Sequence, residues 1–210
     1  MKPKYINNLT INSTTEHLTF DDTFAKQLPA DNKLIYLRLW ELPNHAIILG
    51  RSNKETTEVQ LLQSQKDNLE IHKRSSGGGT VILGPGCLCY SFFIPTTFEP
   101  CNSIQKTNSH VMQCIQKTLS SVHQHITVQG HTDLCINNIK FSGNAQRRFR
   151  HTILFHGTIL YNFNLPTINN YLKHPSKEPK YRQKRTHLDF LTNINSSKKT
   201  LEHLLKNIIF

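Results

Sequence analysis

The sequence is poor in acidic residues. Its 210 residues include 25 Lys and Arg but only 14 Asp and Glu, which gives a formal net charge of +11 and a pI near 9.6. This imbalance favours an acidic partner, such as nucleic acid, an anionic membrane surface, a phosphorylated substrate or an acidic protein. Charged residues make up 19% and hydrophobic residues 37%, so the chain can build a core and does not resemble a disordered polymer.

Long apolar runs are also absent. No stretch approaches the roughly 18 residues of a membrane span, and the polar N-terminus has no apolar signal-peptide core. The five cysteines are odd in number and form no CxxC pair, which argues against a disulfide framework and predicts a cytoplasmic protein. The histidines lack ligand spacing, so we expect no metal site.

The length predicts a single domain over residues 1–210. Helical periodicity indicates helices over Glu16–Leu28 and from Ile104 to Val122, and an amphipathic C-terminal stripe from Leu201 to Ile209. Two prolines and many basic residues predict a mobile surface loop over residues 173–184. Strand-like runs cover Leu34–Trp40, Ala46–Leu49, Cys87–Ile94, Ile126–Val128, Leu134–Ile136, Ile139–Phe141 and Thr152–Phe163.

We therefore predict an α+β fold with mixed, mostly antiparallel sheets flanked by helices. The runs Leu34–Trp40 and Ala46–Leu49 are expected to be two strands joined by a tight connection. The Asn137-Asn138 pair is typical of a hairpin turn.

The first segment with a binding-site pattern is Arg74-Ser75-Ser76-Gly77-Gly78-Gly79. Successive glycines permit positive φ and let consecutive N–H groups form an anion-binding nest, and the arginine adds a planar cation. A plain tight loop between strands remains the alternative. The segment is not a Walker loop, because it lacks the GxxxxGK[ST] pattern.

Asp133 and Lys140 stand on either side of the predicted hairpin turn, so both can reach one cleft. By strand alternation, the apolar neighbours Ile139 and Phe141 point to the opposite face of the sheet from Lys140. The alternative is an ordinary surface lysine. In the third segment, Gly157 within a predicted strand indicates close approach by a ligand or another backbone. Its neighbour His156 is a candidate site residue, or else a core histidine with satisfied hydrogen bonds.

Together these segments resemble the lipoate–protein ligases and their octanoyl- and lipoyl-transferase relatives, within the biotin/lipoate ligase group. The resemblance extends from the first helix to about Asn193. It rests on four motifs in the family's order and spacing: Ile48-Leu49-Gly50-Arg51, Arg74–Gly79, Asp133-Leu134 with Lys140–Ala145, and His156–Leu160. It implies the biotin/lipoate-ligase catalytic fold, which is similar to that of class II synthetases.

The resemblance implies that lipoate or octanoate reacts with ATP and Mg²⁺ to give an acyl-adenylate. The acyl group then passes to a lysine of an E2 lipoyl domain or a glycine-cleavage H protein. Lys140 matches the family's essential lysine and would stabilise the developing negative charge. The residues that would bind substrate and adenylate are Arg74, Ser75, Ser76, Gly77, Gly78, Gly79, Asp133, Ser142, Gly143, His156, Gly157 and Thr158.

The chain departs from the family pattern at several positions. The octanoyltransferase branch has a cysteine where this chain has Ile153, and another transferase branch has one upstream of Asp133, where residues 121–131 contain none. Cys135 is the nearest thiol. Both departures favour a ligase over a thioester transferase. Asn144 also replaces the small residue that usually follows Ser-Gly.

We expect no C-terminal accessory domain after the catalytic domain. The chain then works without one, receives it from a separate accessory protein, or accepts preformed adenylate. An ATP-independent transferase between carrier proteins is the second hypothesis. A nucleic-acid-binding module is the third, although the basic stretch Lys173–Arg185 offers only Tyr181 for base stacking. Docking of an acidic acceptor protein is another role for that stretch, and neither nucleic acid nor a membrane is expected as a partner.

Overall fold

The computed structural model describes residues 1–7, 11 and 13–210. The first helix, α1 (Thr14–Gln27), begins at a capping box. Ser13 Oγ accepts a hydrogen bond from the Glu16 N–H at 3.2 Å, and the Glu16 carboxylate accepts one from the Ser13 N–H at 3.3 Å. These two bonds satisfy backbone donors that the first turn leaves open. The helix predicted over Glu16–Leu28 is therefore confirmed, with an earlier start.

The described residues form ten strands and seven helices. The strands are β1 (Lys4–Tyr5), β2 (Tyr36–Trp40), β3 (Ala46–Leu49), β4 (Glu70–Lys73), β5 (Val81–Leu83), β6 (Cys87–Pro95), β7 (Ile126–Gln129), β8 (Asp133–Ile136), β9 (Ile139–Arg148) and β10 (Thr152–Leu160). The other helices are α2 (Glu55–Glu58), α3 (Leu61–Lys66), α4 (Ile104–Leu119), α5 (Pro166–Tyr171), α6 (His187–Phe190) and α7 (Lys198–Lys206), and a 3₁₀ turn covers Lys180–Arg182.

The strands form two sheets. The larger has seven strands in the order β1-β2-β6-β10-β9-β8-β7, and the smaller has three in the order β4-β3-β5. Among the strand pairs of the described residues, only β1 with β2 and β3 with β4 are parallel, so the predicted mixed, mostly antiparallel α+β fold is confirmed.

The tight connection predicted between Leu34–Trp40 and Ala46–Leu49 does not make them sheet neighbours. The first run lies in the larger sheet as β2, and the second is the central strand of the smaller sheet. All four residues of β3 are buried. A strand buried in this way needs a partner on each edge and cover on both faces, and β4, β5 and the larger sheet supply these.

The larger sheet is covered on both faces, and β10 shows how. Ile153, Phe155 and Ile159 pack into the same cluster as α4 and α7. The intervening Leu154 packs with α1, and Leu160 packs with the smaller sheet. Alternation along this strand therefore directs one set of side chains to α4 and α7 and the other to α1 and the smaller sheet.

The hairpin turn between β8 and β9 is confirmed. Asn137 and Asn138 have φ of 50° and 65°, the positive values that a tight two-residue hairpin requires. The strand that follows is longer than predicted, because it continues from Phe141 to Arg148 while pairing with β10. Its polar and basic residues hide it from a pattern based on apolar runs.

The C-terminal helix is confirmed, but it ends at Lys206. Ile208 is buried beyond the helix end, whereas Ile209 is 61% exposed. Among the residues that the structure describes, no helix combines the length and apolar character needed to cross a membrane.

Candidate active site

A cavity of about 610 Å³ lies between the two sheets. The loop after β4, the β8–β9 hairpin and the second half of β10 contribute to its walls. All of the site residues predicted from the sequence line it except Gly77. Three segments that are far apart in the chain therefore meet in one place. Apolar side chains also line the cavity, among them Leu18, Ile48, Val81 and Leu154.

Arg74 holds the glycine-rich loop in shape. Its guanidinium donates to the carbonyl oxygens of Gly77 at 2.8 Å and Gly79 at 2.7 Å, and its Nε donates to Ser76 Oγ at 3.1 Å. A further bond of 3.3 Å reaches the carbonyl of Ile48 in β3. Burial lowers the pKa of Arg74 to about 10, so the side chain remains a cation at neutral pH. Most of the hydrogen bonds that the Arg74 guanidinium donates therefore go to the loop itself.

The carbonyl groups that turn towards Arg74 leave the amide groups of the loop open. In the described part of the chain, the N–H groups of Gly77, Gly78 and Gly79 have no hydrogen-bond acceptor. Gly78 has a φ of +96°, a conformation that strains any residue with a Cβ. Open consecutive N–H groups next to a cation are typical of an anion-binding nest.

His156 joins the loop to the larger sheet. Its Nε2 lies 2.6 Å from Ser76 Oγ, which already accepts the bond from Arg74. The Ser76 hydroxyl proton is therefore available to donate to a neutral imidazole. Burial, and then the charge of Arg74, lower the pKa of His156 to about 3. His156 is consequently neutral at physiological pH.

We expect His156 to make stability depend on pH. In the unfolded chain its pKa is near 6.5, whereas in the folded protein it is about 3, so unfolding takes up a proton between these values. The free energy of unfolding should therefore fall as pH falls from 6.5 towards 3, by up to about 1.4 kcal/mol per pH unit from this group. His156→Gln should reduce the slope of the free energy of unfolding against pH by the amount that corresponds to the uptake of about one proton. Urea unfolding at several pH values measures this slope.

The matched control for this experiment is the same substitution at the exposed His125. An unchanged slope in His156→Gln would contradict a neutral, buried His156. Gln is chosen because its amide can still reach Ser76 from about the position of the imidazole Nε2.

Lys140 and Asp133 form an ion pair at the cavity wall. Lys140 Nζ lies 2.8 Å from Asp133 Oδ1, and neither side chain is more than a quarter exposed, at 24% and 15%. A Cβ on Gly143 would lie 2.7 Å from Lys140 Nζ, so only glycine leaves room for the ammonium group there. The Thr192 N–H donates to the Lys140 carbonyl at 2.8 Å, which fixes the backbone from the other side.

Asn144, a departure from the family pattern, organises a polar network beside the cavity. Its side-chain amide accepts from the Tyr90 hydroxyl and donates to the carbonyl of Thr132 at 2.7 Å and to Ser142 Oγ at 3.3 Å. Strand register places Tyr90 and Asn144 on either side of Gly157. The glycine therefore admits a neighbouring side chain, a form of close approach that the sequence signal did not specify.

The basic stretch over residues 173–184, predicted to be a mobile surface loop, is largely irregular with many exposed residues, but part of it packs into the site; its mobility stays a prediction. The segment contains the 3₁₀ turn, and Arg182 is only 5% exposed and lines the cavity. The Arg182 guanidinium stacks over the Phe190 ring at 4.6 Å. Lys180 and Lys184 remain exposed. Phe190 and His187, which contact Arg182, lie after the basic stretch in the chain. The composition of the stretch alone therefore did not reveal the packing.

Tyr181 is a site residue that sequence reasoning missed. Its hydroxyl donates to Asp133 Oδ2 at 2.7 Å, on the carboxylate that pairs with Lys140. The one available signal was a single aromatic residue within a strongly basic run, which was considered only for base stacking.

None of the cysteines has the features of an activated nucleophile. All five lie in the described part of the chain, and Cys89 is the one that lines the cavity. Burial raises the pKa of the Cys89 thiol well above its ordinary value, and it also raises the pKa of Cys135. A thiol is nucleophilic as its thiolate, so both shifts disfavour attack on an acyl group. Ile153, where a transferase branch has cysteine, is fully buried.

Comparison with known proteins identifies the family. Residues 13–205 match the profile of the family described as the lipoyl protein ligase A/B catalytic domain. The chain belongs to this family. The resemblance carried by the sequence motifs is thereby confirmed.

Individual members of the family show the same relationship. The chain is 28% identical over 175 residues to lipoate–protein ligase 1 of Staphylococcus aureus, a match that covers 83% of this chain and 51% of that protein. It therefore spans about half the length of the curated relatives that it matches.

Two solved structures share the fold. The bi-partite lipoate protein ligase of Thermoplasma acidophilum, described with its E2 lipoyl domain, superposes with a TM-score of 0.83 at 18% identity, over 98% of this chain and 81% of that one. A lipoate-protein ligase A bound with ATP gives 0.80 at 18% identity, over 98% and 83%. These likenesses establish the lipoate-ligase fold for this chain.

Proposed function

We propose that the protein is an ATP-dependent lipoate–protein ligase. It would activate lipoate or octanoate as the acyl-adenylate and transfer the acyl group to a specific lysine of an acceptor protein. The observation that carries the proposal is the meeting of Lys140, the Arg74–Gly79 loop and His156 around one cavity, in a member of the lipoyl protein ligase family. Its volume of about 610 Å³ is within the usual range for small-molecule sites.

In the first half-reaction, a carboxylate oxygen of the acyl acid attacks the α-phosphorus of ATP, and pyrophosphate leaves. Charge builds on the phosphoryl oxygens, where the Lys140 ammonium and the open N–H groups of Gly78 and Gly79, all at the cavity wall, are suited to receive it. Thr80 supports the presence of a ligand, because it lines the cavity and its buried hydroxyl finds no hydrogen-bond partner among the described residues. The apolar wall with Leu18 and Ile48 suits the acyl chain.

In the second half-reaction, the amine of the acceptor lysine attacks the acyl carbonyl of the mixed anhydride. An amide forms, AMP leaves, and the amine loses a proton. A neutral His156 adds no positive charge to repel an incoming lysine. Acceptors of the proposed reaction are an E2 lipoyl domain or a glycine-cleavage H protein, and the Thermoplasma ligase is described with an E2 lipoyl domain.

Magnesium enters the proposal as the ion that accompanies ATP. Within the described residues, no group of three His, Cys, Asp or Glu side chains could hold a metal. Asp133, the carboxylate next to Lys140, already has both oxygens bonded. Mg²⁺ commonly binds through substrate phosphates and water with few protein ligands, and this chemistry suits the site better than a protein-built centre.

We further propose that residues 1–210 act as one catalytic domain. The alternative, in which a separate accessory protein assists adenylation, is kept because the Thermoplasma relative is bi-partite. The thioester transferase is disfavoured by the raised pKa values of Cys89 and Cys135. Tyr181 points inward onto Asp133 and therefore offers no platform for a nucleic-acid base.

The deciding experiment incubates the protein with ATP, Mg²⁺ and lipoate, without an acceptor. Pyrophosphate release and bound lipoyl-adenylate, detected by mass spectrometry, are the expected results. Parallel reactions with octanoate, and without Mg²⁺, define the acyl preference and the metal requirement. No adenylate, but transfer from synthetic lipoyl-adenylate to a lipoyl domain, would assign activation to a partner. Failure of both reactions would overturn the ligase proposal in favour of a carrier-dependent transferase.

A further inference from the structure

A chain of hydrogen bonds connects the basic segment to the proposed catalytic lysine. The Tyr181 hydroxyl donates to Asp133 Oδ2 at 2.7 Å, and Lys140 Nζ pairs with Asp133 Oδ1 at 2.8 Å. The carboxylate is therefore bonded through both oxygens, one to each neighbour. The Cys135 thiol donates to the Tyr181 hydroxyl at 3.6 Å, which satisfies the acceptor side of that group.

The position of Tyr181 is set by a packed unit. Its ring lies 5.2 Å from the Phe190 ring, and the Arg182 guanidinium stacks over Phe190 at 4.6 Å. Arg185 donates to the Tyr181 carbonyl at 2.9 Å and to the Asn138 carbonyl, at the hairpin turn, at 3.1 Å. The packing of the ring against Phe190 and the hydrogen bonds from Arg185 to two backbone carbonyls thus hold the Tyr181 hydroxyl towards Asp133.

We propose that Tyr181 is a positioning residue for Lys140 and acts through the Asp133 carboxylate. The inference rests on the proposed function, in which Lys140 stabilises the charge that develops during acyl activation. With its second oxygen engaged by Tyr181, Asp133 offers Lys140 a single oxygen in a fixed direction. Without the hydroxyl, the carboxylate can rotate and offer both oxygens, which shifts the ammonium from the position it holds in the wild type.

The surroundings make Lys140 sensitive to such a rotation. Gly143 confines the ammonium on one side, since a Cβ there would lie 2.7 Å from Nζ and 2.8 Å from Cε. Burial, and then the charge of Asp133, raise the pKa of Tyr181, so it remains a protonated donor. The donor is therefore present across the pH range in which the enzyme would work.

The test compares Tyr181→Phe with the matched control Tyr171→Phe. Tyr171 makes the same kind of bond, its hydroxyl donating to Asp67 Oδ2 at 2.7 Å, but Asp67 lies outside the cavity lining, whereas Asp133 lines the cavity and pairs with Lys140. We expect Tyr181→Phe to lower kcat for lipoyl-adenylate formation by about tenfold, with KM for lipoate within about twofold of wild type. Tyr171→Phe should match the wild type in both constants.

A double-mutant cycle separates positioning from simple support of the segment. If Tyr181 acts through Asp133, then Tyr181→Phe should have little further effect on kcat in an Asp133→Ala background. Additive losses would mean that Tyr181 only supports the segment, and would overturn the proposal. So would an unchanged kcat in Tyr181→Phe while the wild type is active.

A measurement that needs no activity keeps the two proposals distinguishable. The ¹⁵Nζ resonance of Lys140, assigned with Lys140→Arg, should shift in Tyr181→Phe and stay in place in Tyr171→Phe. No shift in Tyr181→Phe would overturn the positioning role, even if the wild type forms no adenylate. An inactive wild type with a shifted resonance would instead count against the ligase proposal and leave the coupling of Tyr181 to Lys140 supported.

Discussion

Lys140→Ala should lower the rate of lipoyl-adenylate formation by about 10²–10³ while the protein stays folded. The loss is expected because Lys140 lines the same cavity as the glycine-rich loop, and its side chain is mostly shielded from solvent. A fixed charge in such a site stabilises developing negative charge without having to reorganise. Single-turnover measurement of pyrophosphate release gives the rate, and circular dichroism with thermal unfolding gives the fold.

Lys180→Ala is the control, because it removes an exposed lysine from the nearby 3₁₀ turn. Its rate should match the wild type within about twofold. Near-normal turnover in a folded Lys140→Ala protein would remove Lys140 from the mechanism and reject the proposed site.

Gly157→Ala should destabilise the fold by about 2–4 kcal/mol. A Cβ at this position would overlap Asn144 Oδ1 and would lie 2.8 Å from the Tyr90 hydroxyl. The Asn144 side chain cannot move away without breaking its hydrogen bonds to the Tyr90 hydroxyl and the Thr132 carbonyl. The substitution therefore forces a choice between steric strain and a broken buried network. The free energy of unfolding in urea measures the effect.

Gly79→Ala is the matched control, since a Cβ there meets nothing within 4 Å and its φ is not in the positive range. We expect a change within about 0.5 kcal/mol. Asn144→Ala provides a second check because it makes room at Gly157. The double variant Asn144→Ala/Gly157→Ala should be more stable than the sum of the two single effects predicts. Simple additivity would show that Asn144 is not what excludes a side chain at Gly157.

The two largest expected effects come from different sources. The Lys140 effect is electrostatic and concerns the reaction, whereas the Gly157 effect is steric and concerns the folded state. A Lys140→Ala protein should therefore stay folded while losing rate, whereas the main loss in a Gly157→Ala protein should be in the free energy of unfolding. Measuring both quantities on both variants tests this separation.

The α+β class, most of the strands and the helices at both ends could be predicted because their signals are local. The helical periodicity of the first helix and the apolar stripe of the C-terminal helix act within a few residues of the chain. The long strand β9 was underestimated because Gln146 and Arg147 carry no apolar alternation. Its extended form is imposed by pairing with β10, which is a tertiary effect.

The sequence by itself determined the closeness of Asp133 and Lys140. A two-residue turn at Asn137-Asn138 brings the adjacent strands together, which follows from turn chemistry; the register shift between Leu134 and Cys135 was not visible in the sequence pattern. The tertiary structure alone decided that Ser76 meets His156 across the two sheets, 80 positions apart, and that Tyr181 bonds Asp133. The physical reason is range: turns and periodicity act between neighbours in the chain, whereas these contacts depend on how sheets and loops pack.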